Sequence, residues 1–155
     1  MATLHVLNSK QVKEILGQLH EQWGITVDTP YVWYIHPKHQ DIYVLSTAAK
    51  HIEFEHLRIN NLGLYVAHID KQNMLRLSIE ASQLWGPQAT KGVISLDDTQ
   101  YIQWLRGQDI AYTHPYGYVL VKHGDDFMGC GKIKDDMLLN FVPKARRITA
   151  KDLPV

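Results

Sequence analysis

The sequence predicts an α+β fold in two units, one over residues 1–86 and a second, a small partly closed barrel, over residues 87–155. Three observations carry this expectation. A helical apolar stripe near the N-terminus is followed by β-rich runs. The stretch Gly86-Pro-Gln-Ala-Thr90 then breaks the pattern. After Lys91 the order is strand, capped helix and several antiparallel strands.

The first helix starts at Asn8 or Ser9, whose short side-chain oxygens suit the free N–H groups of a first turn. With Asn8 as cap, Gln11 falls at the third helical position and completes a capping box. Val12, Ile15, Leu16, Leu19 and Trp23 recur on one face, and Gly24 supplies the stop. Tyr31 to Ile35 and Asp41 to Leu45 read as a hairpin around His-Pro-Lys-His-Gln. Leu57 to Ile69 is a further strand, with a bulge or turn expected near its start from Asn60, Asn61 and Gly63. Leu75 to Leu77 is a short strand leading into a helix over Ser78 to Trp85, ended by Gly86-Pro87.

In the second unit, Val93 to Leu96 is a short strand and Asp97 or Asp98 caps the next helix. Tyr101, Ile102 and Leu105 supply its buried face, with Trp104 alongside, and Gly107 closes it. Gly117 to Gly124 reads as a strand, and Asp125 to Lys132 as a second one entered through a tight turn. Asp135 and Asp136 are turn residues, and Leu138 to Ile148 places three cations just beyond Pro143.

Composition narrows the class. The chain has 155 residues, 45% of them hydrophobic, which is enough for a buried core. It contains no apolar run near the roughly 20 residues that span a bilayer. With no signal-peptide pattern and one cysteine, Cys130, the reading favours a cytoplasmic protein without a membrane partner. Net charge is zero, but its distribution is uneven. Met1 to Glu55 holds 4 Lys/Arg against 6 Asp/Glu, whereas Lys132 to Lys151 holds 6 against 2. A basic end of this kind is suited to phosphate-bearing partners.

Catalytic and metal chemistry find little support. His36 with His39, and His51 with His56, lack tetrahedral ligand spacing, so no metal is expected. Cys130 stands between Gly129 and Gly131 within a strand, where a small thiol fills space. Tyr65, Trp85, Trp104 and Tyr118 are at spacings that suit core packing better than base stacking. No cofactor loop and no nucleophile–base pairing stand out, so no cofactor and no enzyme activity are expected.

The stretch from Lys91 through Ile110, the strand Gly117 to Gly124, the segment around Gly129-Cys-Gly131 and the tail Asn140-Phe-Val-Pro-Lys-Ala145 together resemble a PUA domain. The closest likeness is to the PUA-like C-terminal domain of Sun/Fmu-type ribosomal RNA cytosine-5 methyltransferases, and to stand-alone proteins carrying it. It covers about Leu57 to Ile148, and the first 55 residues resemble only the N-terminal, pre-PUA-like extensions of the stand-alone proteins. The resemblance implies a C-terminal PUA-like pseudo-barrel that binds RNA, rRNA or tRNA, in modification or ribosome biogenesis. It also implies a methyltransferase or a pre-ribosomal particle as a further partner. Those domains carry a Gly-Trp-Gly or similar turn where this chain has Gly129-Cys-Gly131, so the identity of the RNA does not transfer.

In PUA domains RNA is held by the loop after the first helix and by the last strand. The matching positions are Arg106, Gly107 and Gln108, then Lys144, Arg146 and Arg147, with Lys122, Lys132 and Lys134 extending the surface. Asn140 is either a reader of a base edge or a solvent-facing strand residue. Two other readings stay open: an adaptor that delivers an RNA-modifying enzyme, and a small hydrolase of the ASCH type. For the hydrolase, Gly131-Lys-Ile-Lys-Asp-Asp136 matches neither the spacing nor the glutamate of the signature.

Overall fold

The computed structural model describes residues 4–46 and 63–149. His51, His56, the start of the strand expected from Leu57 and the tail cation Lys151 lie outside the described residues. Two five-stranded sheets and three α-helices make up the rest, an α+β arrangement.

The first sheet is an antiparallel meander of β1 (His5–Val6), β2 (Tyr31–His36), β3 (Asp41–Ser46), β4 (Leu64–Ile69) and β5 (Leu75–Leu77). Helix α1 (Ser9–Trp23) starts in the expected capping box, in which Asn8 Oδ1 accepts from Gln11 N at 2.9 Å and Gln11 Oε1 accepts from Asn8 N. It stops at Gly24, whose φ of 69° disfavours a side chain. Asn60 and Asn61, where a bulge or turn is expected, lie outside the described residues, and within β4 a bulge sits at Val66. There the register moves from Ile42↔Ala67 to Tyr43↔Tyr65, so Val66 and Ala67 are both buried in succession.

Helix α2 (Ile79–Trp85) is capped by Ser78 and runs on into a 3₁₀ turn at Gly86–Gln88, the place of the expected unit boundary. The second sheet follows in the order β6 (Val93–Ser95), β8 (Gly117–His123), β9 (Asp126–Lys134), β10 (Met137–Leu139) and β7 (Ile110–Ala111). Its edge strands β6 and β7 do not pair with each other, and β6 joins β8 in parallel through a connection that includes α3 (Asp98–Leu105). Asp97 is the cap of α3, again in a capping box. Asp135 and Asp136 take φ of 52° and 58°, as a tight hairpin between β9 and β10 requires.

β8 is apolar without alternation because the second sheet is covered on both faces. Val119, Val121, Ile133 and Leu138 pack with Trp104 of α3. Tyr118, Leu120, Phe127 and Cys130 instead join the cluster of Trp23, Val66, Leu77 and Trp85 from the first half. Polar ties follow the same seam. Trp23 Nε1 donates to the Tyr118 carbonyl at 3.3 Å, and Gly129 N donates to Ser82 Oγ at 2.9 Å. A Cβ at Gly131 would collide with Leu138 and crowd Trp104, which explains a glycine beside Cys130 in the middle of β9 rather than at a turn.

Candidate nucleic-acid interface

The end of α3 determines where the first candidate residues point. Arg106 is the C-cap that follows Leu105, the last residue of α3, and Gly107 reverses the chain with φ of 83°. Gly107 N donates to the Trp104 carbonyl and Gln108 N to the Gln103 carbonyl, both at 3.0 Å, so two carbonyls of the last helical turn are used. The turn leaves Arg106 and Gln108 exposed on either side of a glycine.

The C-terminal segment is tied to this turn. Asn140 Nδ2 donates to the carbonyls of Trp104 at 2.9 Å and Gln108 at 3.3 Å, while its Oδ1 accepts from Val142 N at 2.8 Å. Asn140 N in turn donates to Asp109 Oδ1 at 2.8 Å. Neither sequence expectation for Asn140 holds, because its amide is engaged in clamping two backbone segments together. Ile148 N closes the tie on the Leu105 carbonyl at 2.9 Å.

Pro143 then sets up a 3₁₀ turn over Lys144–Arg146, closed by Arg146 N donating to the Pro143 carbonyl at 2.8 Å. The cations expected on a last strand therefore sit on and just after a turn, because proline fixes φ and supplies no ladder N–H. From this turn Arg147 reaches back over Gly107, its Nε donating to the Val142 carbonyl at 3.0 Å. A Cβ at Gly107 would overlap Arg147 Nε and Cδ. Arg147 thus covers Gly107, with Arg106 and Gln108 exposed on either side of that glycine in sequence and Lys144 exposed on the adjoining turn.

The other candidates lie elsewhere. Arg146 forms an ion pair with Glu80 of α2. Lys132 Nζ lies 5.2 Å from the Tyr116 ring and 5.3 Å from the Tyr118 ring, and donates to Gln72 Oε1 at 3.4 Å. Lys134 is exposed beside the β9–β10 turn. Lys122 pairs with Phe127 at the hairpin end of the β8–β9 ladder, away from the Tyr118↔Lys132 end, and its Nζ lies 5.8 Å from the Phe127 ring. The nine positions do not form one patch.

Sequence reasoning missed a cleft between the sheets, a cavity of about 210 Å³ lined by Tyr65, Arg76, Glu80, Phe141 and Arg146 among others. Arg76 Cζ stands 4.3 Å from the Phe141 ring centre. Burial first, and then the nearby Asp41 carboxylate, pushes the Tyr65 hydroxyl up to about 12. Only tertiary packing joins these residues; the lone arginine in the three-residue β5 gives no local signal of its own. Cys130 also borders the cavity, but burial pushes its thiol up to about 12, which keeps it protonated near neutrality and a poor nucleophile. Tyr65 is half-buried, whereas Trp85, Trp104 and Tyr118 are buried in the core. The His36 and His39 rings stack on each other at 4.5 Å, and no group of three or more metal-ligating side chains occurs among the described residues.

Residues 91–148 match the family model of the methyltransferase RsmF PUA domain. This stretch of the chain is related to that domain and contains all nine candidate positions. PUA domains are in general RNA-binding, which supports an RNA-binding role here. The match begins at Lys91, so it does not extend to the upstream part of the resemblance, from about Leu57. No curated protein matches the chain. No helix among the described residues is long and apolar enough to cross a membrane.

Proposed function

We propose that this chain is a non-catalytic RNA-binding protein of rRNA or tRNA modification or of ribosome biogenesis, working in the cytoplasm beside an RNA methyltransferase or a pre-ribosomal particle. The observation that carries the reading is Arg147 lying over Gly107, which is flanked by exposed Arg106 and Gln108, within the stretch that matches a PUA domain. A glycine at the turn lets a phosphate approach the backbone, and the flanking guanidinium supplies a fixed cation with several donors. Lys144 adds a mobile positive charge at the same edge. Arg147 is held by a carbonyl rather than a carboxylate, so its charge is not cancelled where it sits.

The non-catalytic part of the proposal is supported by the state of the thiol. The one cysteine is buried, its proton is held tightly, and it fills a core position between the two halves. The domain boundary near residues 86 and 87 is proposed on the same footing, with the two units sharing one apolar cluster rather than moving freely.

The test is salt-dependent binding to structured rRNA and tRNA. Removing one phosphate pairing flattens the slope of log affinity against log salt by about 0.7 where the RNA is single-stranded. Arg146→Ala with Arg147→Ala is expected to weaken binding and flatten that slope together. Melting should fall only modestly, since the exposed Arg146–Glu80 pair is worth about 0–1 kcal/mol and the Arg147–Val142 hydrogen bond about 1 kcal/mol. Charge reversal of Lys10 and Lys13 to Glu is the control and should matter less. Unchanged affinity of the double variant at every salt concentration would reject the face. Binding that ignores salt would instead favour a protein–protein adaptor.

A further inference from the structure

We propose that the cleft between the two sheets receives one unpaired nucleobase of RNA, stacked on the Arg76 guanidinium and read along its Watson–Crick edge by Glu80. The proposal rests on the RNA-binding reading above and gives it a place where sequence is sensed.

The cleft combines three properties rarely found together on a solvated surface. It is a real cavity, of about 210 Å³, with Met128 and Gly129 of β9 among its walls. It contains a cationic platform, because Arg76 lies against the Phe141 ring at 4.3 Å and faces the same cavity as Tyr65. At its rim stand charges of opposite sign, Glu80 and Arg146, hydrogen-bonded to each other and 40% and 46% exposed.

Each property selects against other ligands. A free anion such as phosphate would meet the Glu80 carboxylate, and an apolar molecule would have to strip water from Arg76, Glu80 and Arg146. An unpaired base suits all three. Its ring stacks on a guanidinium plane, its edge hydrogen-bonds to side chains, and the phosphate beside it needs a cation. A carboxylate has only acceptors to offer. Guanine alone among the four bases sets two N–H donors side by side on its Watson–Crick edge, so it is the preferred occupant. Arg146 supplies the charge for the flanking phosphate. Its neighbour Arg147 belongs to the α3 turn, so one dipeptide links backbone binding to base reading.

The experiment measures fluorescence anisotropy of two labelled single-stranded RNAs, hexauridine and the same hexamer carrying one central guanosine. The parent protein is expected to bind the guanosine-containing RNA about tenfold more tightly. Glu80→Gln should bring the two affinities to within about twofold of each other, a ratio that any general gain from removing an acidic charge leaves untouched. Arg76→Lys keeps the charge but loses the plane, and should weaken the guanosine-containing RNA about fivefold. No binding of either RNA by the parent, in low salt, would overturn the RNA-binding reading itself. Equal affinity of the parent for both RNAs, or a preference that survives Glu80→Gln, would overturn the cleft alone.

Discussion

Arg146 and Arg147 are adjacent in sequence and belong to different regions of the molecule. Arg147 lies over the turn that ends α3, a region stitched together by Asn140, Asp109 and the Ile148 amide. Arg146 turns the other way, to Glu80 at the edge of an open cavity. The first region has its polar groups engaged on backbone and presents a preset shape. The second holds a compensated ion pair that a ligand can rearrange. Two neighbouring cations with the same sequence signature therefore differ in what they can do, and their tethers decide it.

The sharpest way to break this contrast is Asn140→Ala. It removes two donated hydrogen bonds to carbonyls and one accepted bond from Val142. The expected cost is about 2–3 kcal/mol, at about 1 kcal/mol for each of the three bonds lost. Glu80→Gln, which loosens the cleft instead, should cost under about 1 kcal/mol. Urea denaturation of the two variants checks the order, and equal losses would contradict a rigid exit and a yielding cleft.

A smaller effect is expected from Gly107→Ala. The left-handed backbone at Gly107 costs an L-residue about 1–2 kcal/mol, and the new methyl would displace Arg147. RNA affinity should then fall further than the stability loss alone explains, while Gly17→Ala, in open space within α1, should raise stability by about 0.5–1 kcal/mol and leave RNA affinity nearly unchanged. Comparison of melting curves with binding isotherms at one salt concentration separates the two effects.

What the sequence revealed follows a physical division. Asn8 with Gln11, Asp97 with Gln100, Gly24 and the Asp135-Asp136 turn were readable because each is settled among residues a few positions apart. The parallel pairing of β6 with β8 and the shared core around Trp23 and Cys130 depend on contacts between distant segments, and no local spacing announces them. The same holds for the site. Gly107 was readable as a cap, and the basic residues as a cluster. That Arg147 would cover Gly107 while Arg146 paired with Glu80 depended on a 3₁₀ turn after Pro143, where a continued strand was the simpler expectation. Asn140 escaped for a related reason, since two of its three carbonyl and amide partners, in Trp104 and Gln108, lie more than 30 residues away in sequence.

The central claim, that the α3 exit and the Lys144–Arg147 turn together form the surface that holds RNA phosphates, is tested most directly by backbone amide resonances. Isotopically labelled protein would be titrated with a structured rRNA or tRNA fragment at two salt concentrations. The account predicts that the largest shifts fall on Arg106, Gly107, Gln108 and Arg147, and that they shrink as salt rises. Shifts confined to α1 and the first sheet, or shifts at the α3 exit that are insensitive to salt, would contradict it.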